Sequence, residues 1–145
     1  MINILLIEDC LADIRLTQEM LKESVIQNKI YVVKDGEEAI SFLMKKGNYN
    51  KCPSPDLIFL DLNLPKKNGR EVLIEIKSDP FLKSIPVLVL TTSTSDLDII
   101  TSYKLQANCY LNKPNDLDDF TKLLINIENF WFKKARLPKN SEKLA

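Results

Sequence analysis

Five short apolar runs, each followed by an amphipathic stretch, set the rhythm of this chain. "INILLIE" (2–8) carries four consecutive aliphatic residues and predicts a strand covered on both faces. A helix is predicted from Leu11 to Ser24, with Leu16 and Met20 one turn apart and Thr17, Leu21 and Ser24 along the adjacent row. "IYVVK" (30–34), β-branched and aromatic, reads as a second strand. "DGEEAISFLMKKG" (35–47) opens on a turn dipeptide and continues as a helix with Ala39, Ile40, Leu43 and Met44 on one side. After the loop "KCPSP", "DLIFLD" (56–61) is the third strand. "GREVLIEIKSD" (69–79) places Val72, Leu73 and Ile76 at helical spacing and stops before Pro80.

"IPVLVLT" (85–91) is the fourth strand. The following helix, 95–106, has Ser95 as its predicted N-cap, with Asp98 three residues on in a relaxed capping box. "NCYLN" (108–112) is a short fifth strand, broken by Pro114. The last helix runs from Asp116 to about Lys134 with Phe120, Leu123, Leu124, Ile127, Phe130 and Trp131 on one stripe. Strand and helix in alternation predict an α/β fold, a doubly wound five-stranded parallel sheet with helices on both faces. No linker or repeat divides the chain, so one domain is expected over 1–134, followed by a short C-terminal tail at 135–145.

The 145 residues are 45% hydrophobic and 28% charged, which suits a globular domain with a real core. Twenty basic and twenty acidic residues cancel, so nothing in the overall charge draws the chain to nucleic acid. The locally basic "KKARLPKNSEK" reads as a solvated tail. No apolar run approaches the roughly 20 residues of a membrane span, and the start has no basic region of a signal peptide. Three widely spaced cysteines with no Cys-x-x-Cys pair predict a reduced, cytoplasmic protein. There is no histidine. That excludes histidine-based nucleophilic catalysis and histidine zinc sites, and leaves carboxylates, hydroxyls, lysine, the backbone and a hard metal ion.

In open parallel sheets, ligands bind beyond the carboxyl ends of the strands. Strand one ends in Glu8 and Asp9, strand three in Asp61, strand four in Thr91 with Thr92 and Ser93 behind it, and strand five in Lys113. Three carboxylates converging there repel one another unless a cation sits among them. A magnesium ion (Mg2+) suits such a set of carboxylates, carbonyl and waters. With Lys113 and the Thr91 hydroxyl, the arrangement is fit for a tetrahedral anion, and Asp61 is placed to be a carboxylate nucleophile forming an acyl phosphate. Each feature alone reads as a turn or cap residue; their joint occurrence at successive strand ends is what carries the inference.

"IEDC", "LIFLDLNLPKKNG", "VLVLTTS" and "YLNKP" resemble the four signature segments of response-regulator receiver domains of two-component signalling, over residues 2 to about 132. The resemblance implies the flavodoxin-like sheet order 2-1-3-4-5. It further implies Glu8 and Asp9 as the acidic pair, Asp61 as phosphoacceptor, Thr91 as signalling hydroxyl and Lys113 as the phosphate-contacting lysine. Asn63 would offer its backbone carbonyl to the metal, Tyr110 matches the aromatic switch position, and Gly69 the turn glycine. "NCYLNKP" and the closing "IENFWF" are similar to the small stand-alone receivers that partner phytochromes. The implied donor is therefore a sensor histidine kinase, of the phytochrome kind.

An added phosphoryl group brings about −1.5 to −2 charge. Thr91 would move toward it and Tyr110 would rotate into the vacated space, reshaping the face built from the fourth helix, fifth strand and fifth helix. Ile99 and Tyr103 on that face, with Phe130, Trp131 and Phe132, are the expected interface of a homodimer, because neighbours about 100° apart on a helix cannot all enter one core. A haloacid-dehalogenase-type phosphohydrolase is the alternative. It needs a second acid where Asn63 stands and a nucleophile after the first strand. About a dozen residues follow the fifth helix, too few for a helix-turn-helix, so neither a DNA-binding nor any other output domain is expected.

Overall fold

A computed structural model describes residues 1–138. Strands and helices alternate as β1 (Ile2–Ile7), α1 (Leu11–Lys22), β2 (Asn28–Val33), α2 (Gly36–Leu43), β3 (Leu57–Leu60), α3 (Gly69–Ser78), β4 (Val87–Thr91), α4 (Asp96–Lys104), β5 (Cys109–Asn112) and α5 (Leu117–Ile127). All pairings are parallel and the sheet order is β2-β1-β3-β4-β5. The central strands are aliphatic without alternation because both faces are covered: Ile4 to Ile7, all of β3 and all of β4 are buried. Period two then sorts them. Leu5, Ile7, Ile58, Leu60 and Val89 pack on Phe42, Val72 and Ile76 of α2 and α3, while Ile4, Leu6, Phe59, Leu88 and Leu90 pack on Ile14, Leu21, Phe120 and Leu124 of α1 and α5.

The helices begin where the sequence offers caps. Asp35, Asn68 and Ser95 side chains accept from the backbone N–H of Glu38, Glu71 and Asp98. Only half of the box predicted at α4 forms, because the Asp98 carboxylate is turned to Arg70 and Ser93 instead. Helix α1 ends at Lys22, and Ser24 lies beyond it, its hydroxyl accepting from Ile26 N–H. The deepest residues of α1 are Ile14, Thr17 and Leu21, with Leu16 and Met20 at the margin. On α2, Phe42 is buried beside Ala39 and Leu43 while Ile40 is half-buried and Met44 exposed; the Phe42 ring lies 5.4 Å from that of Tyr31 and 5.2 Å from that of Tyr49.

The largest departure is at the end of the last helix. Regular α winding stops at Ile127 and Glu128–Phe132 form a π-helical turn. Wider winding brings Phe132, five residues after Ile127, onto the buried side. Phe132 is 7% exposed and belongs to the core, so it is not the interface residue expected. Phe130 is turned out, 53% exposed, with half-buried Trp131 edge-on to it at 5.4 Å. Of the expected tail at 135–145, Leu137 packs on the same core, and residues 139–145 lie outside the described residues.

Gly69 opens α3 against the backbone that leaves β3. A Cβ there would meet the Asp61 carbonyl oxygen at 2.4 Å and the Leu62 Cα at 2.6 Å. Alanine gains about 1 kcal/mol of helix propensity, but backbone atoms cannot step aside as a side chain can. Overpacking wins, and Gly69→Ala should destabilise by about 2 kcal/mol. Urea unfolding of the variant checks this; an unchanged midpoint would show that the loop yields.

Candidate functional site

Parallel register builds the site. Ile7 of β1 pairs with Leu60 of β3, so the residues that follow, Glu8 and Asp61, leave the sheet at the same edge. Asp61 N–H donates to the Ile7 carbonyl at 3.0 Å, and Glu8 N–H to the Val33 carbonyl at 3.0 Å, which fixes both backbones. On the other side Thr91 pairs with Asn112, and Lys113 N–H donates to the Thr91 carbonyl at 2.8 Å. The lysine stem thus enters from two strands away.

One oxygen from each of Glu8, Asp9 and Asp61 lies within 4.8 Å of the others. The Lys113 ammonium, its side chain 7% exposed, hydrogen-bonds the Glu8 carboxylate and lies 3.6 Å from Asp61 Oδ2. It also reaches Asp13 Oδ2 at 3.1 Å. Glu8 itself is 2% exposed, and its Oε2 is buried with no hydrogen-bond partner. A buried carboxylate oxygen without a partner, on one of three clustered acids, is what a hard divalent cation would satisfy, and these residues fit one.

Without such an ion the acids compete for one ammonium. Burial and the neighbouring Asp61 carboxyl push the Glu8 carboxyl up from 4.5 to about 9, and Lys113 only partly opposes this. Burial pulls the Lys113 ammonium down, but the Glu8 hydrogen bond and the charges of Glu8 and Asp61 more than offset it, for a net rise. A carboxyl raised on folding stabilises the fold fully below its unfolded value. That contribution is lost as pH climbs toward the folded value, because the folded state holds the extra proton. In chelator, urea midpoints should therefore fall from about pH 5 to pH 9, and Glu8→Gln should flatten that slope. An equal slope in the variant would place its origin elsewhere.

Thr91 is fully buried at the end of β4; its Oγ1 accepts from Ser93 N–H at a long 3.4 Å. Asn63 is exposed in the β3–α3 loop, with its N–H toward Asp61 Oδ1 at 3.3 Å. Tyr110 is half-buried, and its hydroxyl donates to the Ser93 carbonyl at 2.9 Å. Its N–H donates to the Tyr103 hydroxyl at 3.1 Å, so the two tyrosines foreseen separately are joined. Ile99 is half-buried, whereas Ile100 and Tyr103 are about half exposed, at 52% and 49%.

Asp13 was not foreseen, because an acid in the first turn of a helix is ordinarily read as a partner of the helix dipole. The link from Arg70 through Asp98 to Ser93 was not foreseen either. Arg70 and Asp98 are 28 residues apart, and only the fold brings α3 beside α4.

The response regulator receiver domain model matches residues 4–125. The chain belongs to the response regulator receiver family. This receiver is 53% identical over 135 residues to the response regulator Rcp1 of Synechocystis sp., covering 93% of the present chain and 92% of Rcp1. It is 37% identical to the probable methanogenesis regulatory protein FilR2 of Methanothrix harundinacea, over 93% of this chain and 86% of that one. The structure of the Mn(2+)-bound form of Rcp1 superposes with a TM-score of 0.93, at 52% identity and 95% and 99% coverage. The phosphorylated cyanobacterial phytochrome response regulator RcpA does so equally, at 51% identity with the same coverage. The receiver fold is thus common ground, and the three clustered acids of this chain fit a divalent cation. Among the described residues no helix is long and apolar enough to cross a membrane.

Proposed function

We propose that this receiver accepts a phosphoryl group on Asp61 from the phosphohistidine of a sensor histidine kinase and passes the signal on by protein contact. The observation that carries the reading is the meeting of Glu8, Asp9 and Asp61 oxygens within 4.8 Å, with the Lys113 ammonium 3.6 Å from Asp61 Oδ2. A carboxylate oxygen of Asp61 attacks phosphorus and forms the acyl phosphate O–P bond. The phosphorus–nitrogen bond of the donor breaks, and its electron pair returns to the imidazole. Glu8, Asp9, Asp61 and the Asn63 carbonyl would hold magnesium, which neutralises phosphoryl charge when bound. Lys113 supplies a second positive charge. Buried Thr91 is the hydroxyl to sense the product, and Tyr110, hooked on the Ser93 carbonyl, reports it to α4 and β5.

Similarity to Rcp1 and to RcpA, the latter described as a phytochrome response regulator, supports a phytochrome as the kinase. Residues 1–134 are the phosphoacceptor unit and 135–145 an appended tail. Zero net charge supports protein rather than nucleic-acid partners, and reduced cysteines a cytoplasmic setting. The phosphohydrolase alternative has no support: Asp61 follows β3, and Asn63 cannot act as the second acid. Incubation with acetyl phosphate and magnesium, followed by intact mass, tests the reading. A gain of one phosphoryl group is expected, and its absence in folded, magnesium-loaded protein would refute it.

For assembly we favour a homodimer through α4, β5 and α5. Leu97, Ile100 and Tyr103 leave an apolar strip on α4, and Phe130 projects beyond α5. A stable interface buries more than about 1,000 Å² with aromatics as anchors. Sedimentation should show a dimer that tightens with phosphorylation and that Tyr103→Glu weakens. A wild type monomeric in both states would contradict it.

A further inference from the structure

We propose that Asp13 is a positioning residue, which aims the Lys113 ammonium at Asp61. The inference rests on the phosphoacceptor reading of Asp61 and adds a residue which that reading does not use. An ammonium has three N–H bonds, and here it faces three carboxyl groups. Glu8 and Asp13 hydrogen-bond it, and Asp61 Oδ2, at 3.6 Å, is the third carboxylate within ion-pair reach, leaving one N–H to serve it. Two fixed partners orient the third donor. Asp13 is well suited to be one of them. It sits in the first turn of α1, and its backbone carbonyl is tied to the Thr17 hydroxyl at 2.8 Å. Its carboxylate is stabilised by the helix N-terminus. It is not among the acids that cluster within 4.8 Å, so its work falls on the lysine and not on a cation held by Glu8, Asp9 and Asp61.

The space around the lysine gives that restraint a purpose. A cavity of about 10 Å³, room for one water, lies under Glu8, Asp13, Thr17, Asp61, Lys113 and Phe120. A lysine without its second partner has somewhere to retreat. Glu8 alone would then hold it, and Glu8 is the acid with an oxygen still to satisfy. Asp13 keeps the ammonium at the mouth of the pocket.

Three proteins decide this: wild type, Asp13→Ala and Asp13→Asn. Alanine is a good helix former at this partly exposed position, its side chain 26% exposed in the wild type, so the fold is retained. Asp13→Ala should raise the half-saturating concentration of acetyl phosphate about tenfold, the low end of what losing an orienting partner costs. Magnesium affinity by calorimetry should not change. Asp13→Asn, whose amide oxygen still accepts from the lysine, should recover most of the loss. Three results would overturn the proposal: wild-type behaviour in Asp13→Ala, magnesium affinity falling in step with phosphorylation, or Asn behaving like Ala. Failure of the wild type itself to take phosphate would instead overturn the phosphoacceptor reading.

Discussion

Asp61→Asn takes up no phosphoryl group from acetyl phosphate with magnesium present, while remaining folded with an unfolding midpoint at or above that of the wild type. Both halves come from the same geometry. The amide lacks the anionic oxygen that attacks phosphorus, and the other acids of the site have other work: Glu8 is sealed at 2% exposure with its Oε1 on Lys113, Asp13 is likewise committed to the lysine, and Asp9 is placed to hold the cation. Stability moves the other way because Asp61 adds its negative charge beside Glu8 and Asp9, around a single ammonium. Removing one negative charge from a pocket that holds a single ammonium relieves repulsion. Asn63 N–H can still donate to the amide oxygen at position 61, so the loop keeps its anchor. Intact mass and urea unfolding read the two halves separately. An unfolding midpoint well below wild type would mean that Asp61 serves the fold and not the chemistry.

Lys113→Ala is the second large effect, and it is one of stability. Removing one partner of a buried pair costs about 3–5 kcal/mol, because a charge is left uncompensated. Lys113 is 7% and Glu8 3% exposed by side chain, so the pair is truly desolvated. The low end, about 3 kcal/mol, is expected because Glu8, raised to about 9, already holds a proton, and the charge left without its partner is that of Asp61, 11% exposed by side chain. Magnesium should recover much of that loss, since the acids the lysine leaves behind would bind the ion more strongly. Urea midpoints of the variant in chelator and in magnesium, against the same pair for the wild type, measure it. A variant as stable as wild type in chelator would mean the lysine is held for the phosphoryl group alone.

What the sequence made legible follows from burial. β1, β3 and β4 are covered on both faces, so their aliphatic runs needed no periodicity to be recognised, and the acids and hydroxyl that end them fell at the sheet edge as expected. β2 is at the edge, with only Val33 fully buried, and its start at Asn28 was missed by two residues because pairing with Ile2 and not apolar character sets it. The α5 stripe expected from the sequence holds only for constant α winding. The chain widens after Ile127, which exchanged the fates of Phe130 and Phe132. Asp13 and the contact from Arg70 to Asp98 were hidden for a different reason. Both join residues far apart in the chain, and each acid has an ordinary local reading at the start of a helix.

Mapping where the phosphoryl group resides tests the central claim most directly. Wild-type protein incubated with acetyl phosphate, in magnesium and in chelator, is digested and the phosphorylated peptide located by mass. The arrangement of Glu8, Asp9, Asp61 and Lys113 predicts one phosphoryl group, on the peptide containing Asp61, in the magnesium sample alone. A group found on any other residue, or no group at all in the magnesium sample, would contradict it.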